Sequence, residues 1–208
     1  MRTFRELRKD ESRVILVRHA PHKNNIILPK YIMLCQAIGR ALKQSGIELA
    51  SCVSSSILRA KSTAENILNG ADSSLCVIEA LELIDLMALA PDAKIIAKAE
   101  AIATSLNFAG DEGLFKIMFD SSFPEFYGLV KSRGEETANF LRQLAEKNQE
   151  SNCLIVTHLG RIPNSLQILH GEEIHPPDRL AGNCQVIELI FSKGKLIKEN
   201  WLDINELL

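Results

Sequence analysis

Hydrophobic positions along the chain fall into two patterns. Val14-Ile15-Leu16-Val17 and Cys153-Leu154-Ile155-Val156 are continuous apolar runs, as expected of strands covered on both faces of a parallel sheet. Leu75–Ile78 is a weaker strand candidate. Val186–Phe191, a turn at Ser192-Lys193-Gly194-Lys195 and Leu196–Leu202 predict a hairpin near the C-terminus. Between these runs, apolar residues recur at helical spacing. Ile32–Lys43 sets Leu34, Ile38, Ala41 and Leu42 on one face, and Leu58–Leu68, Asp92–Leu106 and Glu135–Lys147 read as further helices. Any of Ser54, Ser55 and Ser56 is a candidate cap for the helix that follows them. Arg161–Leu169 contains Pro163, which a helix accepts in its first turn but not in its middle. Phe108–Lys131, rich in phenylalanine, fits no period and reads as an insertion or lid. Strands alternating with helices predict an α/β three-layer sandwich, a mostly parallel central sheet with helices on both faces, in a single domain over 1–208.

Composition narrows the function classes. With 208 residues, 46% hydrophobic and 24% charged, the chain is ordinary for a globular domain with a sizeable core. Lys+Arg 24 against Asp+Glu 26 leaves a formal net charge of -2, which supplies no electrostatic reason to expect a nucleic-acid partner. No apolar run approaches the roughly 20 residues of a membrane span, and the charged start MRTFRELRKDESR lacks the apolar core of a secretory signal. Cys35, Cys52, Cys76, Cys153 and Cys184 are odd in number and lie in or beside apolar stretches. Free thiols in that setting favour a cytoplasmic protein.

Two segments carry ionisable groups directly after a buried strand: Arg18-His19-Ala20 after VILV, and Thr157-His158-Leu159-Gly160 after CLIV. Open α/β sheets bind ligands beyond the carboxyl ends of their strands. Two histidines at neighbouring ends would therefore share one pocket, whereas either alone is equally a hydrogen-bonded structural group. A third segment, Ser54-Ser55-Ser56-Ile57-Leu58-Arg59-Ala60-Lys61-Ser62-Thr63-Ala64-Glu65, puts an arginine at a helix N-terminus. The helix dipole disfavours a cation there, so Arg59 is explained better by a bound anion than by helix stabilisation. A solvated surface arginine is the bland alternative. Two arginines and two histidines together make a phosphate site: guanidinium binds phosphate oxygens bidentately, and imidazole serves as nucleophile, acid or donor.

VRHA at 17–20, SSSILRAKSTAENI at 54–67 and VTHLG at 156–160, in that order, resemble the histidine phosphatase superfamily, also called phosphoglycerate mutase-like. The resemblance runs from about Val14 to Leu202. It implies that His19 is the nucleophile forming a phosphohistidine, that Arg18 and Arg59 clamp the phosphate, and that His158 completes the pocket as a donor. Asn25 matches a pocket asparagine of many members, and Gln36-Ala37 and Gly134-Glu135 echo the pattern further. No cofactor and no metal are implied. The partner is a small phosphorylated substrate or a phosphoprotein.

Several positions depart from the pattern. The family's L-x-E general acid falls on Leu83-Ile84-Asp85, with Asp85 for glutamate and Glu82 as the competing carboxylate. Pro21-His22 replaces the usual residues after the first motif, and His22 is either a further substrate contact or an exposed histidine. Leu159 stands where many members have glycine. The F-x-G-W run of cofactor-dependent mutases is missing, which favours a phosphatase over a phosphoglycerate mutase. A silent member that binds a phosphorylated ligand without turnover would keep the clamp and lose the acid. A metal protein using His19 and His22, or His170 and His175, is disfavoured because the arginines would repel a cation and no ligand-spaced carboxylate or thiol accompanies those pairs. The charged residues of Asp92–Glu100 read as a solvated helix face.

Overall fold

The computed structural model describes residues 4–108, 110–203 and 205. The first three residues of the charged N-terminal segment, and Ala109 of the unassigned stretch, lie outside the described residues. The strands are β1 (Glu11–Arg18), β2 (His22–Lys23), β3 (Ile26–Ile27), β4 (Leu49–Ser54), β5 (Val77–Glu79), β6 (Asn152–Thr157), β7 (Val186–Ser192) and β8 (Lys195–Leu202). The helices are α1 (Pro29–Gln44), α2 (Leu58–Gly70), α3 (Ala90–Ser105), α4 (Gly110–Met118), α5 (Pro124–Lys147) and α6 (Ile162–His170). Six strands form one sheet in the order β5-β4-β6-β1-β7-β8, parallel from β5 to β1 and closed on the other side by the antiparallel β7–β8 hairpin.

Both apolar runs are strand cores because both sheet faces are covered. Along β1, Ile15 and Val17 pack with Ile38, Leu42, Ala64 and Ile67 of α1 and α2. Val14 and Leu16 point the other way, into a cluster with Ala138 and Leu141 of α5 and Leu166 of α6. The mostly parallel three-layer α/β fold is thus the one the alternation of elements predicts. The helix after β1 and the helix after β6 lie on opposite faces, and β6 sits beside β1, between it and β4. The crevice between the β1 and β6 ends is therefore the switch point at which such sheets hold ligands.

Several elements differ from the sequence reading, which did not contain the short strands β2 and β3. β4 has no apolar run; its serines 51 and 54 interrupt the pattern, yet it lies between β5 and β6. Residues 110–118 and 124–131 are helical rather than irregular, and α5 begins eleven residues before the expected Glu135. Its first half turns Phe126 and Val130 into a third cluster with α3 and α4, while its second half turns Ala138, Leu141 and Ala145 toward the sheet. One helix with two differently aimed apolar faces obscures a single period. Asp92 is no solvated residue: it is buried and paired with Arg133 Nε at 2.8 Å. All five cysteines are free, with Cys76 exposed and the others buried. Among the described residues no helix is long and apolar enough to cross a membrane.

α1 and α2 cross in backbone contact. A Cβ on Gly39 would stand 2.0 Å from the Ile67 carbonyl oxygen, and one on Gly70 would stand 2.0 Å from that of Gln36. Since α2 carries Arg59, this crossing fixes the height of that arginine over the sheet. Gly39→Ala is expected to cost about 3 kcal/mol, because backbone cannot yield as a side chain can. Gly128→Ala, in α5 with nothing within 4 Å, should instead gain about 0.5–1 kcal/mol. Urea denaturation of both variants checks the contrast.

Candidate active site

The parallel pairing of β1 with β6 sets Arg18 opposite Thr157, and the His19 backbone N–H donates to the Thr157 carbonyl at 3.0 Å. His19 and His158 thus leave adjacent strand ends with ring centroids 4.9 Å apart. Both are buried. Arg59 enters from the first turn of α2. None of the serines caps that helix: Ile57 is the N-cap residue and no side chain bonds there, while the Ser55 hydroxyl accepts the Ile57 N–H at 3.2 Å.

Hydrogen bonding defines the His19 ring. Its Nδ1 lies 2.8 Å from the Ala20 carbonyl oxygen, an acceptor only, so Nδ1 carries the proton. Nε2 therefore presents a lone pair, which meets the Nε–H of Arg59 at 3.2 Å. Burial, opposed by the Ala20 bond and reinforced by Arg59 and Arg18, pulls the His19 pKa down to about 3. His158 is pulled down to about 2, mainly by burial and then by His19 and Arg59. Neither of its ring nitrogens has a hydrogen-bond partner among the described residues. Its Nδ1 lies 3.5 Å from Asp85 Oδ2.

The arginines are held from outside. Arg18 Nη1 donates to the Ala181 carbonyl at 2.7 Å. Arg59 donates through Nη1 to the Asn25 side-chain oxygen and through Nη2 to Asp85 Oδ2. Asn25 reaches Arg59 from a two-residue turn between β2 and β3, in which Asn24 and Asn25 both have positive φ, 52° and 64°. Asparagine tolerates that left-handed geometry. Asn25 thus braces the arginine and does not itself line the cavity.

Of the two candidate carboxylates, Asp85 faces the cavity and Glu82 is exposed. Three buried groups hold the segment between them by consecutive carbonyls. Thr137 of α5 binds that of Glu82 at 2.8 Å, Thr157 of β6 that of Leu83 at 2.9 Å, and Arg161 Nε that of Ile84 at 2.8 Å. Arg161 is fully buried and also meets Glu136 Oε2 at 3.2 Å. Sequence reasoning missed these anchors. The one available signal was the charge of an arginine two residues after VTHL, which by itself does not show that the side chain is buried.

A cavity of about 250 Å³ opens between these groups. Arg18, His19, His22, Arg59, Asp85 and His158 line one end, and Leu159 and Gly160 lie beside them. His22 is exposed, with its ring centroid 5.3 Å from that of His19. His170 lies outside this lining and pairs with Glu199 at 2.8 Å.

Two guanidiniums, two imidazoles and the Asp85 carboxylate meet at the switch point of a mostly parallel sheet, a set whose chemistry suits a small anion of phosphate type. A family model described as histidine phosphatase superfamily (branch 1) matches residues 32–204. The chain belongs to that superfamily. The match begins after Arg18-His19. A phosphoglycerate mutase from Bacillus anthracis str. Sterne is similar with TM-score 0.68 and 16% identity, covering 96% of each chain. A phosphoserine phosphatase from Entamoeba histolytica, in complex with 3-phosphoglyceric acid, matches with TM-score 0.63 and 18% identity over 95% of this chain and 100% of that one. The protein histidine phosphatase SixA, complexed with tungstate, matches with TM-score 0.56 and 16% identity over 94% and 99%. Comparison with curated protein sequences found no match.

The neutral imidazoles have a consequence for stability. With pKa values of about 3 and about 2 against ~6.5 in the unfolded chain, the folded state binds fewer protons below neutrality. Stability is therefore full above about pH 6.5 and falls as pH drops, by up to ~1.4 kcal/mol per pH unit for each histidine. Denaturation midpoints at pH 7 and pH 5 should differ accordingly. A His19→Asn, His158→Asn double variant should flatten the dependence.

Proposed function

We propose that the protein is a phosphomonoester hydrolase working through a phosphohistidine on His19. The observation that carries this reading is the fixed tautomer of His19: Nδ1–H is tied to the Ala20 carbonyl, so Nε2 is a neutral nucleophile facing the cavity beside Arg59. The relatives described above include phosphatases and a mutase, and this chain lacks the F-x-G-W run expected of the mutases.

In the first step Nε2 attacks phosphorus, the bond to the ester oxygen breaks, and Asp85 gives that oxygen a proton. In the second, the Asp85 carboxylate takes a proton from water as the water oxygen attacks phosphorus. The P–N bond breaks and inorganic phosphate leaves with His19 neutral again. Such transfer depends on positioning and charge stabilisation above all. Arg18, Arg59 and the His158 donor would meet the charge on the equatorial oxygens. Asp85 is paired with Arg59. A phosphate that takes over Arg59 breaks that pair and leaves the Asp85 carboxyl beside the ester oxygen.

Hydrolysis of p-nitrophenyl phosphate with EDTA present tests the reading. Wild type should turn over with chelator, and His19→Ala should lose activity by at least ~1,000-fold. Asp85→Asn should lose about 100-fold or more in kcat, whereas Glu82→Gln should stay near wild type. A wild type that binds vanadate through Arg18 yet hydrolyses nothing between pH 4 and 9 would favour the silent phosphate-binding reading instead.

A further inference from the structure

The end of the cavity away from His19 is apolar, and the stretch without a legible period helps to build it. Ile96 from α3, Leu114, Phe115 and Met118 from α4, Phe119 beyond it, and Val130 from α5 line that end. Ile96, Met118, Phe119 and Val130 are themselves buried, and Phe115 stacks against Phe119 with centroids 5.2 Å apart. These side chains are held by packing in or against the third core cluster. Glu100 is the one charged side chain among the described residues lining that end.

We infer that the site selects phosphomonoesters of compact apolar alcohols and phenols, and discriminates against polyhydroxylated and carboxylated ones. This rests on the phosphatase reading above. With the phosphate held by Arg18, Arg59 and His158, the ester group extends from Asp85 into the apolar end. A sugar there buries several hydroxyls among apolar side chains, where Glu100 is the one charged acceptor among the described residues, so most of them lose water without a replacement, which is unfavourable. A carboxylate there meets no cation among the described lining residues and faces Glu100, a repulsive element against a second anionic group. The polar backbone around a phosphorylated protein side chain is disfavoured for the same reason as a sugar. About 250 Å³ lies just under the ~300 Å³ at which drug-sized pockets begin, which suits one ring or a short chain beyond the phosphate.

Initial rates on the purified chain test this with phenyl and butyl phosphate against glucose 6-phosphate, 3-phosphoglycerate and O-phosphoserine. The expected result is kcat/KM about 100-fold higher for the first group. Glu100 is exposed, so Glu100→Lys should fold normally and raise the ratio of 3-phosphoglycerate to phenyl phosphate by about tenfold. Equal or better turnover of the hydroxylated or carboxylated esters, or an unchanged ratio in Glu100→Lys, overturns the inference while leaving the phosphatase reading intact. Calorimetry with phenylphosphonate and 3-phosphonopropionate separates the two failures. If no ester is turned over, the phosphatase reading falls alone, and tighter binding of phenylphosphonate still supports the selectivity. Equal binding, or binding of neither, sinks it.

Discussion

The site depends on the pairing of β1 with β6. Their register places Arg18 opposite Thr157, and the bond from the His19 N–H to the Thr157 carbonyl carries that register one residue past the strand end. A one-residue slip would turn Val14 and Leu16 from one helical layer to the other, together with every other side chain of the strand. Both layers are packed, so such a slip would cost the whole core, and the register is correspondingly strict. The distance between the two imidazoles is thus set by burial of aliphatic side chains well below them. The same β6 supplies Thr157, whose hydroxyl holds the Leu83 carbonyl, so the strand that places His158 also steers the loop carrying Asp85.

Charge in the site follows from burial. A pocket for an anion needs positive potential, yet a nucleophile needs a free lone pair, and a histidine among arginines meets both demands only if it stays neutral. Burial and the guanidiniums act in the same direction on His19. The positive charge is left to the arginines, whose guanidinium groups keep their proton in any such environment. His158 follows the same logic, with its unpartnered nitrogens beside the cavity. Buried polar atoms without partners are costly. A ligand oxygen within reach of that ring would offset the cost.

What was legible in the sequence had a short-range signature. VILV and CLIV announced strands because both faces of the sheet are covered, and the charged residues after them announced the site because strand ends are where such sheets bind. Arg59 stood out because it opposes the dipole of its own helix. β4 was illegible because Ser51 and Ser54 break its apolar run, and its burial comes from neighbours distant in sequence. The first half of α5 was illegible because its apolar residues face a different cluster from those of its second half. The Asn24-Asn25 hairpin had a readable signal in two consecutive residues tolerant of positive φ. Arg161 had none beyond its charge, since nothing local indicates that its guanidinium would reach the carbonyl of Ile84. Choosing Asp85 over Glu82 likewise needed the path of the loop, because two carboxylates three residues apart are equivalent until the backbone fixes which one faces inward.

Arg59 has two uses, and they compete. Its guanidinium is divided among Asn25, Asp85 and the lone pair of His19. All three are acceptors, as phosphate oxygens are, so a phosphate bonded to those same N–H groups takes the place of the acceptors there. Losing Asn25 would leave the arginine unbraced, whereas losing Asp85 and His19 frees the two groups the proposed reaction requires. The crossing of α1 with α2 at Gly39 and Gly70 keeps the helix from following the ligand, so the exchange is confined to side-chain contacts. Part of the phosphate affinity is thereby spent on breaking the Arg59–Asp85 pair. In return the Asp85 carboxyl, the acid of the proposed reaction, is freed from its partner as the phosphate arrives. An arginine held rigidly for phosphate alone would bind the anion more tightly without rearranging the groups around it, and binding that does not change between ground and transition state does not accelerate the chemical step.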